Sequence, residues 1–489
     1  MYYPTNHQYQ NLKKSSKIIP VICEVNSDME TPISLFQKFR TEHYCYLFES
    51  VEGGERWARY SFMGRKPLMI FKAANGKTSL VIENRETIYE ENPVNILKKL
   101  LEEYKNVAFK DFPWFHSGFA GYFAYDFVRY CEDIPSCNDD ELNMPDCHLF
   151  VPEELVVYDH LKQKVYLIVN TISNKAEDQY NSAIKKLQLI ASELFEKGKE
   201  TKISIRQQTD GEFKLEYSVT KQEFCNSVKK AKEYIHNGDI FQVVLSQRFK
   251  TTFTGDPLNV YRILRTSNPS PYMYFLHYGN YCITGASPEM LVRLENSIIE
   301  TCPIAGTRPR GKNDEEDKML EKELKNDEKE KAEHIMLVDL GRNDIGKVSR
   351  FGTVKVQNLM HIEKYSHVMH LVTNVSGCIQ ENCSAVDVLT AMLPAGTVSG
   401  APKVRAMEII EELEALKRGV YAGAIGYIGF DGNLDTCIAI RTAIFKDSKA
   451  YIQAGAGIVA DSIPEKEYEE TLNKAQTLIY AVKKAGEVK

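Results

Sequence analysis

Residues 303–311 read Pro-Ile-Ala-Gly-Thr-Arg-Pro-Arg-Gly. Two glycines and two prolines fix an irregular backbone, and Arg308 and Arg310 on it are suited to gripping a small carboxylate through paired, charge-assisted hydrogen bonds. An exposed turn with solvated arginines is the other reading. Acidic chemistry stands nearby. Glu330/Glu333 and Glu467/Glu470 are each spaced three apart, which sets the members of a pair about 5–6 Å apart at Cβ on one helical face. Two such faces, opposed, suit one hard cation held by oxygen ligands with positions left open for substrate, and magnesium fits that description. A chain with 67 acidic residues also generates such pairs by accident. In the last helix, a core stripe of Tyr468, Leu472, Ala475, Ile479 and Val482 would leave the second pair facing solvent.

Arg441 lies in Thr-Cys-Ile-Ala-Ile-Arg-Thr-Ala-Ile, residues 436–444, where strand alternation puts it on the face of Cys437, Ala439 and Ala443. Small neighbours leave room for a bound anion, although a snorkelling or ion-paired arginine satisfies the same pattern. Residues 396–403, Gly-Thr-Val-Ser-Gly-Ala-Pro-Lys, have the wrong spacing for a nucleotide phosphate loop. Pro402 fits the first turn of a helix over 402–416, whose free N–H groups suit a carboxylate. Gly455 and Gly457 would let backbone approach a ligand closely. His367 and His370 are spaced three apart without an evident third metal ligand, and a lone histidine in such a strand-like run is more often a satisfied core residue.

Taken in order, Gly285-Ala286-Ser287-Pro288-Glu289, residues 303–311, Asp339-Leu340-Gly341-Arg342-Asn343-Asp344, residues 396–403 and Gly455-Ala456-Gly457 resemble the chorismate-binding domain of anthranilate synthase component I, aminodeoxychorismate synthase and isochorismate synthases. The resemblance spans roughly residues 218–480 and implies a set of roles. Glu333 and Glu470 would touch magnesium, and Glu330 and Glu467 would act on it through water. Arg441 would hold a substrate carboxylate, with Gly306, Thr307, Thr397, Tyr421, Gly455, Ala456 and Gly457 around the substrate. Glu289 would protonate the departing hydroxyl, and His370 would face the ring and take its proton.

Two positions separate the members of this family. Water-adding enzymes place a lysine where this chain has Gln242, and a neutral amide cannot serve as that base. Aminodeoxychorismate synthases commonly place a lysine nucleophile where this chain has Ala305. Ammonia attack without a covalent intermediate remains, so the resemblance points to the large subunit of anthranilate synthase. That assignment implies a lyase making anthranilate and pyruvate, an early step toward tryptophan. No cysteine-nucleophile elbow with a following His-x-Glu is visible, so the ammonia is expected from a glutamine amidotransferase partner subunit. Glu49-Ser50 and Asn268, Pro271, Tyr272 and Met273 resemble that family's tryptophan feedback site, with Phe48 and Tyr274 replacing a commoner leucine and phenylalanine. Aminodeoxychorismate synthase component I and a non-catalytic tryptophan-sensing protein are the alternatives.

The elements that must position these residues are of both kinds. Strand-like runs are expected at 44–48, 68–71, 154–157, 165–169 and 240–249, and helices at 177–197 and 221–237. The nearly all-charged segment 312–331 reads as a solvated helix that turns apolar at Ile335–Val338. Strands and helices show no regular alternation, so the expected class is α+β: two packed, mostly antiparallel sheets flanked by helices. An N-terminal regulatory region over 18–196 and a catalytic domain over 218–480 are expected, with 197–212 as a linker. A net charge of −6 implies no nucleic-acid partner. No apolar run long enough to cross a membrane, no signal-peptide-like start, and eleven scattered cysteines without a Cys-x-x-Cys pair make a reducing cytoplasm the expected setting.

Overall fold

The computed structural model describes residues 2–487, except 42, 51–58, 107–108, 110–111, 114, 174–177, 196–212 and 366–367. The proposed linker and His367 therefore lie outside the described residues. The architecture is α+β, and the named strands pair antiparallel into one connected network. No described helix is long and apolar enough to cross a membrane.

Strand Gln242–Thr252 pairs with Lys449–Ile458, in a register that sets Val244 against Gly457 and Ser246 against Gly455. Strand Tyr272–His277 is the seam of the molecule. On one edge it takes Cys45–Glu49, and on the other Tyr281–Ser287, which continues to Thr442–Lys446. A second seam joins Gly118–Phe123 to Ala424–Gly429. Strands from the first half of the chain are thus built directly onto strands of the second.

Local signals explain the helices. Thr220 and Glu223 form a reciprocal capping box that starts Lys221–His236. The charged segment is two helices, Asp314–Asn326 and Glu328–Gly346, because Asp327 leaves helical geometry and caps the second by accepting from the Lys329 and Glu330 N–H groups. Pro402 is the N-cap of a shorter helix, Lys403–Leu413, and not part of its first turn. The last helix, Pro464–Glu487, buries Thr471, Ala475, Leu478, Ala481, Val482 and Ala485. This stripe is rotated from the expected one because the helix packs its small residues against the helix Pro257–Ser267 and the sheet beneath. The rotation brings Glu467 and Glu470 toward the sheet edge where the glycines lie.

Candidate active site

Between the last helix, the helix Glu328–Gly346 and the glycine-bearing end of strand Lys449–Ile458 lies a cavity of about 490 Å³. Ligand sites are commonly of this size. Its walls carry Gln242, Glu289, Gly306, Thr307, Thr397, Tyr421, Arg441, Gly455 and Gly457 together with all four paired glutamates. Residues scattered over more than two hundred positions of sequence therefore meet at one place.

Glu289 is buried, and burial pushes its carboxyl up to about 8. Its Oε1 accepts from the Thr397 hydroxyl at 3.0 Å, which only partly offsets the desolvation. The side chain is consequently an acid that still holds its proton at neutral pH. Its backbone is fixed by Ile438 N–H, which donates to the Glu289 carbonyl at 3.1 Å.

His370 sits opposite Thr307 in the pairing of Ile304–Pro309 with Val368–Cys378. A bulge there, with Gly306 at φ +62°, turns the Gly306 carbonyl toward the ring, 3.2 Å from Nδ1, and the Thr307 hydroxyl lies 3.0 Å from the same nitrogen. A carbonyl only accepts, so Nδ1 carries the hydrogen in that contact and Nε2 is left as the basic nitrogen. Burial holds the imidazole below its ordinary pKa, so it is neutral and able to accept a proton.

Arg441 departs from strand alternation. It falls between strands Leu434–Ile438 and Thr442–Lys446 with φ +48°, so the two strands do not run through it. The guanidinium is largely buried, and its hydrogen-bond partner among the described residues is Asn268 Oδ1 at 3.3 Å. A desolvated cation with a single neutral partner is suited to a bound anion. Gln242 shows a matching vacancy. It is 4% exposed, its Oε1 has no partner among the described groups, and it faces the cavity.

The four glutamates come from facing helices. Burial raises the carboxyls of Glu333 and Glu467, and the neighbouring carboxylates Glu330 and Glu470 add to the effect on Glu333, as Glu470 does on Glu467. Lys474 partly compensates, pairing with Glu470 at 2.7 Å and donating to the Gly455 carbonyl at 3.1 Å. Among the described residues no three acidic, histidine or cysteine side chains converge closely enough to cage a metal unaided. The donor set nevertheless fits magnesium, which binds through one or two carboxylates and keeps water and substrate oxygens for its other positions.

Other expectations are corrected. Arg308 and Arg310 do not reach the cavity. Arg308 pairs with Glu323, Asp327 and Glu330, and Arg310 with Asp317, as the acidic helix starts after the motif supply partners within the chain. Ala456 points away from the cavity into the apolar cluster of Phe224 and Val243, since alternation gives the cavity face to Gly455 and Gly457. His370 meets the cavity through Gly306 and Thr307, which line it and whose carbonyl and hydroxyl contact its Nδ1. Lys329, Gln453 and Lys474 line it without having been anticipated. Only the spacing of Lys474, four after Glu470, hinted at its place.

A smaller cavity of about 70 Å³ lies at the first seam, lined by Phe48, Glu49, Ser50, Pro271, Tyr272 and Met273, with Tyr274 and Cys437 behind them. Glu49 is held there by the Tyr261 hydroxyl and by Arg265 at 3.1 Å. Asn268 does not line this cavity; it turns to Arg441 instead.

The chain belongs to the chorismate-binding enzymes: that family's model matches residues 43–480. Over its whole length the chain is similar to component 1 of anthranilate synthase. It is 53% identical to that protein from Acetivibrio thermocellus, covering 100% of both chains, and 46% identical to the one from Aquifex aeolicus, covering 98% of both. The solved structure of anthranilate synthase component I from Streptococcus pneumoniae superposes with a TM-score of 0.79 at 39% identity, covering 93% of this chain and 98% of that one.

Proposed function

We propose that the chain is the large subunit of an anthranilate synthase, converting chorismate and ammonia to anthranilate and pyruvate. The observation that carries this reading is the single cavity that unites a protonated buried acid, a desolvated arginine, a neutral amide at position 242 and four opposed carboxylates. Arg441 holds a substrate carboxylate, and the glycine edge at Gly455 and Gly457 admits the ring without side-chain obstruction. Magnesium, held by Glu333 and Glu470 with Glu330 and Glu467 acting through water, would supply a cationic anchor for a carboxylate. As ammonia bonds to the ring, the C–O bond to the hydroxyl breaks, and Glu289 gives that oxygen its proton so that it leaves as water. His370 then removes the ring proton as the ring C–O bond to the enolpyruvyl group breaks; the departing enolate takes a proton from water to become pyruvate, and aromatisation drives the step. A glutamine amidotransferase subunit supplies the ammonia in the cytoplasm, and tryptophan inhibits from the smaller cavity.

The chain with chorismate, magnesium and ammonium should yield fluorescent anthranilate. Accumulation of a non-aromatic amine would identify aminodeoxychorismate synthase, and no product a sensor protein. The pH dependence has a defined sign. Free ammonia increases with pH, but Glu289 acts only while protonated, so ammonium-dependent turnover should climb and then fall as pH passes through about 8. Glutamine should serve only once the partner subunit is added; glutamine-dependent turnover by the purified chain alone would refute the two-subunit reading.

A further inference from the structure

One buried cation stands behind the large cavity without lining it. Arg418 is 2% exposed and is paired with Glu414, the residue that ends the helix Lys403–Leu413. Its Nε and one terminal nitrogen donate to the two carboxylate oxygens at 2.9 and 2.5 Å, a bidentate contact that offsets the burial of both charges. The remaining donors go to backbone. One terminal nitrogen donates to the Val398 carbonyl and the other, besides Glu414, to the Val244 carbonyl, both at 2.7 Å. The guanidinium carbon also lies 5.7 Å from the centre of the Tyr421 ring.

Val244, Val398 and Tyr421 all line the cavity, and they belong to three separate segments: the strand Gln242–Thr252, the short turn Gly396–Val398 and the approach to the strand Ala424–Gly429. Val244 N–H donates in turn to the Ser399 carbonyl at 2.9 Å, so strand and turn close around the guanidinium. On its far side the turn is pressed against the helix Glu328–Gly346, since a Cβ added to Gly396 would fall 1.9 Å from the Leu340 side chain. The residue clamped between these supports is Thr397, whose hydroxyl donates to Glu289. Glu414 extends the hold. Its Oε1 accepts from the Ser246 N–H at 2.8 Å and hydroxyl at 2.9 Å, and the Ser246 hydroxyl accepts at 2.9 Å from Gln453, which lines the cavity. A lysine at position 418 would keep the charge, but a single nitrogen on a flexible stem cannot serve both carbonyls and the carboxylate.

We propose that Arg418 is a positioning residue for the reaction: by fixing the Val398 and Val244 carbonyls and backing Tyr421, it holds Thr397 in the direction that aims the Glu289 carboxyl at the departing hydroxyl. The proposal rests on the reading of the larger cavity as the site of chorismate amination. The test compares the parent with Arg418→Lys, with the paired replacement Arg418→Met/Glu414→Leu and, as a reference, with Thr397→Val. Each is measured for thermal unfolding, for chorismate KM and kcat, and for the infrared carbonyl band of the protonated Glu289, identified by its absence in Glu289→Gln. Arg418→Lys should stay folded, because Glu414 keeps a cationic partner. Its kcat should fall about 10²-fold with KM within about threefold, the usual effect of a misplacement of about 1 Å where the binding groups are untouched. The paired replacement removes both buried charges, so it should also fold, and it should lose at least as much in kcat. In both, the Glu289 band should shift upward as it does in Thr397→Val, where the accepted hydrogen bond is gone. Parental kcat in both variants would overturn the proposal, as would a loss accounted for by the unfolded fraction, an effect confined to KM, or failure of both variants to fold. If the parent made no anthranilate, the reading of the cavity would fall and the infrared band would decide alone: an unmoved band in Arg418→Lys overturns the positioning role, and an upward shift upholds it.

Discussion

Replacing Glu470 or Glu333 by glutamine is expected to reduce magnesium-dependent turnover by about 10²-fold or more while leaving the fold intact. A neutral amide is a poor ligand for a hard cation, and the lost charge stabilisation amounts to several kcal/mol, each ~1.4 kcal/mol being tenfold in rate. Glu470 is half exposed and Glu333 sits at the cavity wall, so neither exchange disturbs packing. In Glu470→Gln the Lys474 ammonium loses its ion-pair partner and keeps the Gly455 carbonyl. Magnesium affinity measured by calorimetry should fall in parallel with turnover. Parental turnover at saturating magnesium would remove these two residues from the proposed metal site.

His370→Ala should slow anthranilate formation about 10²–10⁴-fold, the usual worth of a positioned general base. Because the histidine is placed in the second chemical step, amination should persist and the non-aromatic intermediate should build up. Chromatography of the reaction mixture separates the two products. Equal loss of intermediate and anthranilate would show that the residue supports binding or folding rather than proton removal. Thr307→Val offers a control on orientation: it removes one contact to Nδ1 but leaves the Gly306 carbonyl to fix the tautomer.

Much of the site was legible in the sequence because its residues lie in short motifs of unusual composition. The glycines at 455 and 457, the acid at 289 and both glutamate pairs meet in one cavity as expected. What could not be read was direction. Arg308 and Arg310 looked free for a ligand, yet Asp317 in the first turn of helix Asp314–Asn326 claims Arg310, and Glu323, Asp327 and Glu330 further along the chain claim Arg308. Arg441 looked like a strand residue, but a local left-handed turn, invisible to alternation, aims it into the cavity. Asn268 does not line the cavity that its neighbours at 271–273 line, because its side chain turns to Arg441 instead. The rotated stripe of the last helix follows from packing small residues closely, which tertiary contact decides and periodicity does not.

The seams have a further consequence, for anyone wishing to shorten the chain. Cutting away the first half would strip Cys45–Glu49 from Tyr272–His277 and Gly118–Phe123 from Ala424–Gly429. Each stripped strand would present unpaired backbone donors and acceptors beside apolar side chains such as Phe275 and Ile425, which are buried in the whole molecule. Bare edges of that kind recruit other strands, so the isolated 218–480 fragment is a substrate for intermolecular β-pairing and aggregation before it is a minimal enzyme. The amino-terminal half thus acts as an edge protector for the catalytic sheet, whatever else it binds.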